Sequence, residues 1–233
     1  MSGFSLVFSC FFIGDCIMIR YLVFDLDGTL IRSQGRVSGL VARFFEERFW
    51  LDPEATRYYF HSTRGKALIA QIMEYLQIQE DKARKLSDEI YSLILQTKKG
   101  EFFPGVVEKI KELSQDFKLF LSTGNSTAFA KENLQEWWIL NCFELVVGSD
   151  LLIKGVEHLK LFSETVGDSN FLKKVVFIWD GENDRDIAQQ AGIPFIHVEE
   201  EPCSFDVPYC VVSVADISGP LAQIINEKIG AEF

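Results

Sequence analysis

The sequence is short of positive charge. Its 23 Lys and Arg residues stand against 34 Asp and Glu, which gives a formal net charge of −11 over 233 residues. Non-specific nucleic-acid binding needs a basic surface that displaces counterions from phosphates. The paired aromatic residues also lack interleaved basic residues, which favours packing over base stacking. The composition therefore predicts no nucleic-acid partner.

Cysteine pairs and long apolar runs are also missing. The five cysteines, at positions 10, 16, 142, 203 and 210, form no CxxC pair and are odd in number. This spacing indicates neither a zinc site nor a disulfide framework, and we expect a cytoplasmic protein. The apolar stretch at residues 4–13 is too short to span a bilayer and follows no Lys or Arg, so we predict no membrane partner and no secretory signal.

The first residues of the chain have two interpretations. Met18 directly precedes the first predicted strand, so residues 1–17 are interpreted as an N-terminal extension upstream of the true start. The alternative is an extra strand or an oligomer contact. The sequence does not distinguish a monomer from a homodimer.

Two apolar segments each end in a pair of carboxylates. Four apolar residues at 21–24 lead into Asp25 and Asp27, and the apolar run 175–179 leads into Asp180 and Asp184. An Asp-Gly turn could explain one such pair, but two are typical of a ligand site at the carboxyl ends of parallel strands. Because close carboxylates repel, the pattern predicts a bound cation, and Mg²⁺ prefers such oxygen ligands.

Strand and helix patterns alternate along most of the chain. Strands are predicted near residues 19–25, 117–122, 143–148, 174–179, 193–198 and 209–213, and helices near 104–115, 126–138, 157–167, 184–191 and 215–229. This alternation predicts an α/β fold with a doubly wound parallel sheet. About ninety residues between the first two strands interrupt it, with helical spacing over 36–50, 53–60, 64–78 and 80–97. We therefore predict a core domain from 18–35 and 101–233, with an inserted α-helical domain at 36–100.

The acidic motifs resemble those of the haloacid dehalogenase superfamily. Residues 25–29 match its DxDGT motif, and Asp180 and Asp184 match its last motif, although Trp179 stands where the family usually has Gly or an acid. The resemblance covers nearly all of residues 19–233 and implies a Rossmann-like core with a C1-type helical cap. It implies that Asp25 is a nucleophile that becomes an aspartyl phosphate and that Asp27 is the general acid and base. Asp25, Asp27, Asp180 and Asp184 would then hold Mg²⁺.

A second motif of the family is an apolar strand that ends in Ser or Thr. The strand before Ser122 and Thr123 is similar to it. We assign the hydroxyl to Thr123, with Ser122 as the rival, because a slip of one residue exchanges which of the two faces the site. Gly124 and Asn125 follow at a predicted helix start, where free N–H groups could bind phosphate. An ordinary helix cap by Asn125 or Ser126 is compatible with this function.

The family's remaining motif is a lysine that balances the charge of the nucleophile and the phosphate. Lys154 occupies the corresponding place, and Lys160 is the fallback. His158 follows Lys154 by four residues, and we interpret it as a solvent-facing or structural histidine. In the helical insertion, Arg64 and Lys66 are candidate substrate contacts. The competing interpretation of that segment is a solvated helix N-terminus.

The resemblance to phosphoglycolate phosphatases and β-phosphoglucomutases implies a Mg²⁺-dependent phosphatase that acts on a small phosphorylated metabolite. Asp27 favours phosphate chemistry, since family members that cleave carbon–halogen bonds usually lack an acid at this position. One alternative is a phosphomutase of the β-phosphoglucomutase type. The other is a non-catalytic relative that binds metal or phosphate.

Overall fold

The computed structural model describes residues 18–32, 36–63, 66–96, 101–199 and 206–230. The predicted extension at 1–17 and the candidate substrate contact Arg64 lie outside these residues, so both stay predictions.

Strands and helices follow the predicted order closely. The strands are β1 (Tyr21–Phe24), β2 (Ile31–Arg32), β3 (Glu101–Phe102), β4 (Lys118–Thr123), β5 (Phe143–Gly148), β6 (Val175–Trp179), β7 (Phe195–Val198) and β8 (Cys210–Val211). The helices are α1 (Arg36–Phe49), α2 (Pro53–Ser62), α3 (Leu68–Leu76), α4 (Glu80–Gln96), α5 (Val106–Asp116), α6 (Thr127–Glu136), α7 (Val156–Val166), α8 (Glu182–Ala191) and α9 (Ser218–Gly230). Within the described part of the chain, no helix is both long and apolar enough to cross a membrane.

Six strands form one parallel sheet in the order β5-β4-β1-β6-β7-β8. Strand β1 lies near the middle, with Phe24 in register with Leu121 of β4 and Ile178 of β6. Helices α6, α7 and α8 connect β4, β5, β6 and β7 in turn, as is usual between parallel strands. The predicted doubly wound α/β fold is therefore confirmed.

The apolar strands are explained by burial on both faces of the sheet. In β1, Leu22 and Phe24 belong to the larger core cluster, whereas Tyr21 and Val23 belong to a second cluster on the opposite face. Strands of parallel sheets covered on both sides read as continuous apolar runs for this reason. The side chains beyond the strand ends are then free to form a site.

Trp179 fits the second core cluster. Its side chain is fully buried, and its ring centroid lies 4.6 Å from that of His197 and 5.5 Å from that of Phe195. Because neighbouring side chains in a strand alternate between faces, Trp179 packs with Phe177 on one face while Ile178 packs on the other. The unusual residue therefore fills the core and leaves the following backbone to deliver Asp180.

The helical insertion leaves and rejoins the core through a short antiparallel pair. Ile31 and Arg32 of β2 pair with Phe102 and Glu101 of β3, and helices α1 to α4 lie between them. Sequence reasoning missed this pair, because strands of two residues carry no periodicity. The insertion shares the larger core cluster with the sheet, so its buried apolar side chains are continuous with those of the core.

One expectation about the cysteines was wrong. The spacing indicated no disulfide framework, but Cys210 takes part in a disulfide, whereas Cys142 is a free thiol. Disulfide formation depends on how close two Cα atoms come in the fold. Neither CxxC spacing nor an odd cysteine count reveals that distance.

Candidate active site

The acidic residues of both motifs meet at the carboxyl edge of the sheet. Asp25 directly follows β1, and its N–H donates to the carbonyl of Ile178 at 2.9 Å. Asp180 directly follows β6, and Asp184 lies in the first turn of α8. All three carboxylate residues are buried. Adjacent parallel strands thus place Asp25 beside Asp180 and Asp184.

Three of the four predicted metal ligands form a compact group. Asp25, Asp180 and Asp184 each offer a carboxylate oxygen, and these atoms lie within 4.8 Å of one another. Buried carboxylates this close need a cation or a shared proton. An all-oxygen donor set fits a hard divalent ion such as Mg²⁺.

The carboxylate of Asp27, predicted as a fourth ligand, lies outside this group of three. Instead, Asp27 accepts a hydrogen bond from the side-chain amide of Asn125. This contact orients the carboxylate of Asp27 toward the loop after β4. The two acids of the first motif therefore have different surroundings.

Lys154 contacts two carboxylates of the acidic group. Its Nζ is 2.7 Å from Oδ1 of Asp25 and 2.7 Å from Oδ1 of Asp184, and the side chain is buried. Burial alone would lower the pKa of Lys154, but the charges of Asp184 and Asp25 outweigh it and raise the pKa above its usual value. Lys154 is therefore a cation. Lys160, the fallback, is exposed and pairs with Glu157 at 3.1 Å.

One lysine does not neutralise the group. Burial raises the pKa of Asp184 to about 7, an effect opposed by the charge of Lys154 and reinforced by that of Asp25. With Asp25 and Asp180 beside it, the cluster holds three carboxylates against one ammonium. A second cation would let all three ionise, since an opposite charge favours the charged form.

The two candidate hydroxyls point to different partners. Ser122 bonds to Nδ1 of His158 at 2.8 Å, whereas Oγ1 of Thr123 accepts from the N–H of Asn125 at 3.1 Å. The second ring nitrogen of His158 lies 2.6 Å from the carbonyl of Leu152. A carbonyl can only accept, so Nε2 carries the proton and Nδ1 accepts from Ser122.

His158 is a structural histidine. It is fully buried, and burial is the main cause that lowers its pKa, with the charge of Lys154 acting in the same direction. The ring is therefore neutral at pH 7. Its two hydrogen bonds tie the end of β4 to the loop that carries Lys154.

The loops after β4 and β5 are bonded to each other. The N–H of Ser149 donates to the carbonyl of Asn125 at 2.9 Å, and Asp150 accepts from the N–H of Thr127 at 2.6 Å. At Gly148, an added Cβ would overlap the backbone of Asn125 and Thr127. Ser126 provides the N-cap of α6. Sequence reasoning missed Asp150 because its partner lies far away in the chain.

A comparison with protein families agrees with the order of the motifs, the sheet topology and the cluster of three carboxylates with Lys154. The family model of haloacid dehalogenase-like hydrolases matches residues 22–198. The chain belongs to the haloacid dehalogenase-like hydrolases. This result confirms the family predicted from the motifs. A search among curated proteins finds no match.

Several solved structures share the fold of this haloacid dehalogenase-like chain. A predicted phosphatase from Clostridium acetobutylicum is 21% identical with a TM-score of 0.72, over 88% of this chain and 99% of that one. A protein from Bacteroides vulgatus that bears the name β-phosphoglucomutase, as a provisional assignment, is 16% identical with a TM-score of 0.72, over 92% of both chains. CbbY from Rhodobacter sphaeroides in complex with phosphate is 16% identical with a TM-score of 0.68, over 86% and 97%.

The remaining candidate from the insertion has a local partner. Nζ of Lys66 pairs with Glu74 of α3 at 3.0 Å, and Tyr59 also donates to Glu74 at 2.9 Å. These hydrogen bonds lower the pKa of Glu74. Lys66 thus forms a surface ion pair within the helical insertion, and its role in binding substrate stays a prediction.

Gly28 is required by the geometry of this haloacid dehalogenase-like site. Its φ is +77°, and an added Cβ would overlap the carboxylate of Asp180. We expect Gly28→Ala to lose about 1–2 kcal/mol of unfolding free energy to backbone strain and to weaken Mg²⁺ binding by displacing Asp180. Urea unfolding and calorimetric Mg²⁺ titration measure both effects.

Gly39 of α1 provides the matched control, since a Cβ there meets nothing within 4 Å. Gly39→Ala should leave Mg²⁺ binding unchanged and add up to about 1 kcal/mol of stability through helix propensity. Wild-type Mg²⁺ affinity in Gly28→Ala would contradict this account of Gly28.

Proposed function

We propose that this chain is a Mg²⁺-dependent phosphatase that hydrolyses a small phosphomonoester through an aspartyl phosphate at Asp25. The observation that carries the proposal is the buried cluster of Lys154 with Asp25, Asp180 and Asp184 at the carboxyl edge of the sheet. Phosphoryl transfer depends mainly on positioning and on neutralising the charge of the phosphoryl oxygens. The phosphate held by the structurally similar CbbY supports the same ligand class.

Asp25 would act as the nucleophile. One carboxylate oxygen of Asp25 attacks phosphorus, and the bond between phosphorus and the ester oxygen breaks. Asp27 gives its proton to the leaving alkoxide, and the contact with Asn125 keeps Asp27 oriented for this transfer. Asp27 then takes a proton from water as that water attacks the phosphorus of aspartyl phosphate, and the bond between phosphorus and the Asp25 oxygen breaks. Inorganic phosphate leaves, and Asp25 is regenerated.

The other residues of the site would bind the phosphate and neutralise its negative charge. Lys154 neutralises the nucleophile before the reaction and the phosphoryl oxygens during it. The hydroxyl of Thr123 and the backbone N–H groups at Gly124 and Asn125 would hold the phosphate, as the N-terminal region of a helix does. Held by Asp25, Asp180 and Asp184, Mg²⁺ would supply positive charge that stabilises the transferring phosphoryl group. The proposed partner is a small phosphorylated metabolite in the cytoplasm.

The direct test is hydrolysis of p-nitrophenyl phosphate with Mg²⁺ and with EDTA. Turnover that requires Mg²⁺ supports the proposal, and absence of turnover under both conditions contradicts it. The name of the Bacteroides vulgatus neighbour favours a second candidate, a phosphomutase. A mutase would interconvert sugar phosphates only when a sugar bisphosphate is added, and it would release little inorganic phosphate.

Substitutions of Thr123 and Ser122 should affect different properties, phosphate binding in the first case and stability in the second. We expect Thr123→Val to lower kcat/KM by about 10²-fold through loss of a donor to the phosphate. Ser122→Ala should keep kcat/KM near the wild-type value but lose about 1–3 kcal/mol of stability, because Nδ1 of His158 would be buried without a donor. Steady-state kinetics and urea unfolding of both variants measure the split, and the reverse pattern would assign the phosphate contact to Ser122.

A further inference from the structure

One side chain of the helical insertion bonds to the predicted phosphate loop, here residues 123–126. Tyr91 lies on α4, the last helix of the insertion, and its hydroxyl donates to the carbonyl of Gly124 at 3.1 Å. On the same helix, Ile90 and Ile94 are buried in the core cluster that the insertion shares with the sheet. The packing of α4 therefore holds the partly buried Tyr91 ring in place at the loop.

The bond to Gly124 constrains the next amide. The carbonyl of Gly124 and the N–H of Asn125 belong to one planar trans peptide, so fixing one direction fixes the other. The N–H of Asn125 is directed at Oγ1 of Thr123, and the side chain of Asn125 contacts Asp27. Tyr91 thus contacts the phosphate loop one residue before Asn125, whose side chain contacts the predicted general acid Asp27.

The surroundings of Tyr91 keep its hydroxyl a donor. Burial raises the pKa of the phenol above its usual value, and the negative charges of Asp27, Asp150 and Asp88 raise it further. The phenol is therefore protonated throughout the physiological range. A carbonyl oxygen accepts hydrogen bonds but cannot donate them, so only the protonated phenol can make this contact.

We propose that Tyr91 is a positioning residue through which the helical insertion orients the phosphate loop for substrate binding. We call the hydrogen bond between Tyr91 and Gly124 the tether. The tether is seen in the structure, whereas its expected effect on kinetics rests on the proposed phosphatase function. Removing the tether leaves the catalytic groups in place but lowers the fraction of molecules with a correctly oriented loop. Apparent substrate affinity falls with that fraction.

Tyr91→Phe is the test, because it keeps the ring and deletes only the hydroxyl. The matched control is Tyr58→Phe, which deletes the same atom from an exposed tyrosine on α2 of the insertion. For p-nitrophenyl phosphate with Mg²⁺, we expect Tyr91→Phe to raise KM about 3- to 10-fold, the worth of one hydrogen bond, with kcat within about twofold of wild type. Tyr58→Phe should change neither constant.

The split between KM and kcat distinguishes positioning from a merely structural role. A variant that folds incompletely has less active enzyme, which lowers the apparent kcat and leaves KM unchanged. A fall in kcat alone in Tyr91→Phe would therefore overturn the proposal. So would wild-type values of both constants.

Hydrogen–deuterium exchange provides a readout that needs no turnover. Tyr91→Phe should speed exchange of the amides at residues 124–127 severalfold, and Tyr58→Phe should not. If the wild-type protein shows no phosphatase activity but Tyr91→Phe speeds this exchange, the tether stands and the phosphatase proposal fails. If exchange is unchanged, the tether is wrong whatever the activity of the wild type.

Discussion

Asp25→Asn should abolish Mg²⁺-dependent hydrolysis and leave the protein folded. The amide has almost the same shape as the carboxylate, but it is not a nucleophile toward phosphorus and it removes one negative ligand from the group with Asp180 and Asp184. Loss of a catalytic nucleophile costs on the order of 10⁴- to 10⁶-fold in kcat. With p-nitrophenyl phosphate we expect kcat to fall by at least about 10⁴-fold.

Stability should respond differently from activity. Asp25 and Asp184 are like charges that share Lys154, and Lys154 keeps its contact with Asp184 at 2.7 Å when Asp25 becomes neutral. Removing one of two crowded carboxylates relieves repulsion, so the unfolding free energy of Asp25→Asn measured without Mg²⁺ should not fall. Thermal and urea unfolding test this expectation.

The exposed Asp116 at the end of α5 supplies the control for Asp25. Asp116→Asn makes the same chemical change on the core domain and should keep wild-type turnover. Residual activity of Asp25→Asn within tenfold of wild type would contradict the role of Asp25 as nucleophile. A large loss of stability in Asp25→Asn would contradict the charge balance described here.

The sheet was predictable because its strands are buried on both faces. Val175 to Trp179 form an unbroken apolar run, and an acid follows directly, so both the strand and its functional end are visible in the residues alone. The helices of the insertion were visible by their apolar spacing. The pair β2 and β3 was not, since its strands are too short to show alternation.

The meeting of the acidic residues was predictable only in part. Parallel neighbours in the sheet bring Asp25 and Asp180 together, which follows from the strand order. The approach of Asp184 depends on the first turn of α8, and the separate position of Asp27 depends on its contact with Asn125. Four acids in two motifs therefore indicate a site without showing which carboxylates converge.

Contacts between distant elements were beyond sequence reasoning. Ser122 and His158 are 36 positions apart, and Tyr91 and Gly124 are 33 apart. Each pairing depends on how a helix packs against the sheet, which no local pattern encodes. The sequence could not decide between Ser122 and Thr123 for a similar reason. The pleat of β4 determines which of the two hydroxyls faces His158, and the sequence does not show it.

Lys154→Met should cause the largest loss of stability among substitutions at the site. Methionine is a neutral side chain of similar length, so the change removes the ammonium that lies 2.7 Å from both Asp25 and Asp184. Breaking a buried ion pair by removing one partner costs about 3–5 kcal/mol, because the other charge stays buried without compensation. We expect a loss of that size in urea unfolding of the protein in EDTA.

Added Mg²⁺ should restore part of this stability. The three carboxylates remain in Lys154→Met. A divalent cation that binds only the folded state raises the unfolding free energy by RT ln(1 + [L]/Kd). Without Lys154 the carboxylates carry more uncompensated charge, so the stabilisation by Mg²⁺ should be larger in the variant than in the wild type. Hydrolysis should nevertheless fall by at least about 10²-fold, since the charge that faces the phosphoryl oxygens is lost.

Lys160→Met is the matched control, because Lys160 is exposed and pairs only with Glu157 among the contacts seen in the described part of the chain. Surface ion pairs contribute about 0–1 kcal/mol, so this variant should unfold within about 0.5 kcal/mol of wild type and keep full activity. Equal losses in the two variants would show that Lys154 does not neutralise the buried acids. A loss confined to Lys154→Met, reduced by Mg²⁺, would mean that one ammonium and one divalent cation together hold three carboxylates ionised at the end of the sheet.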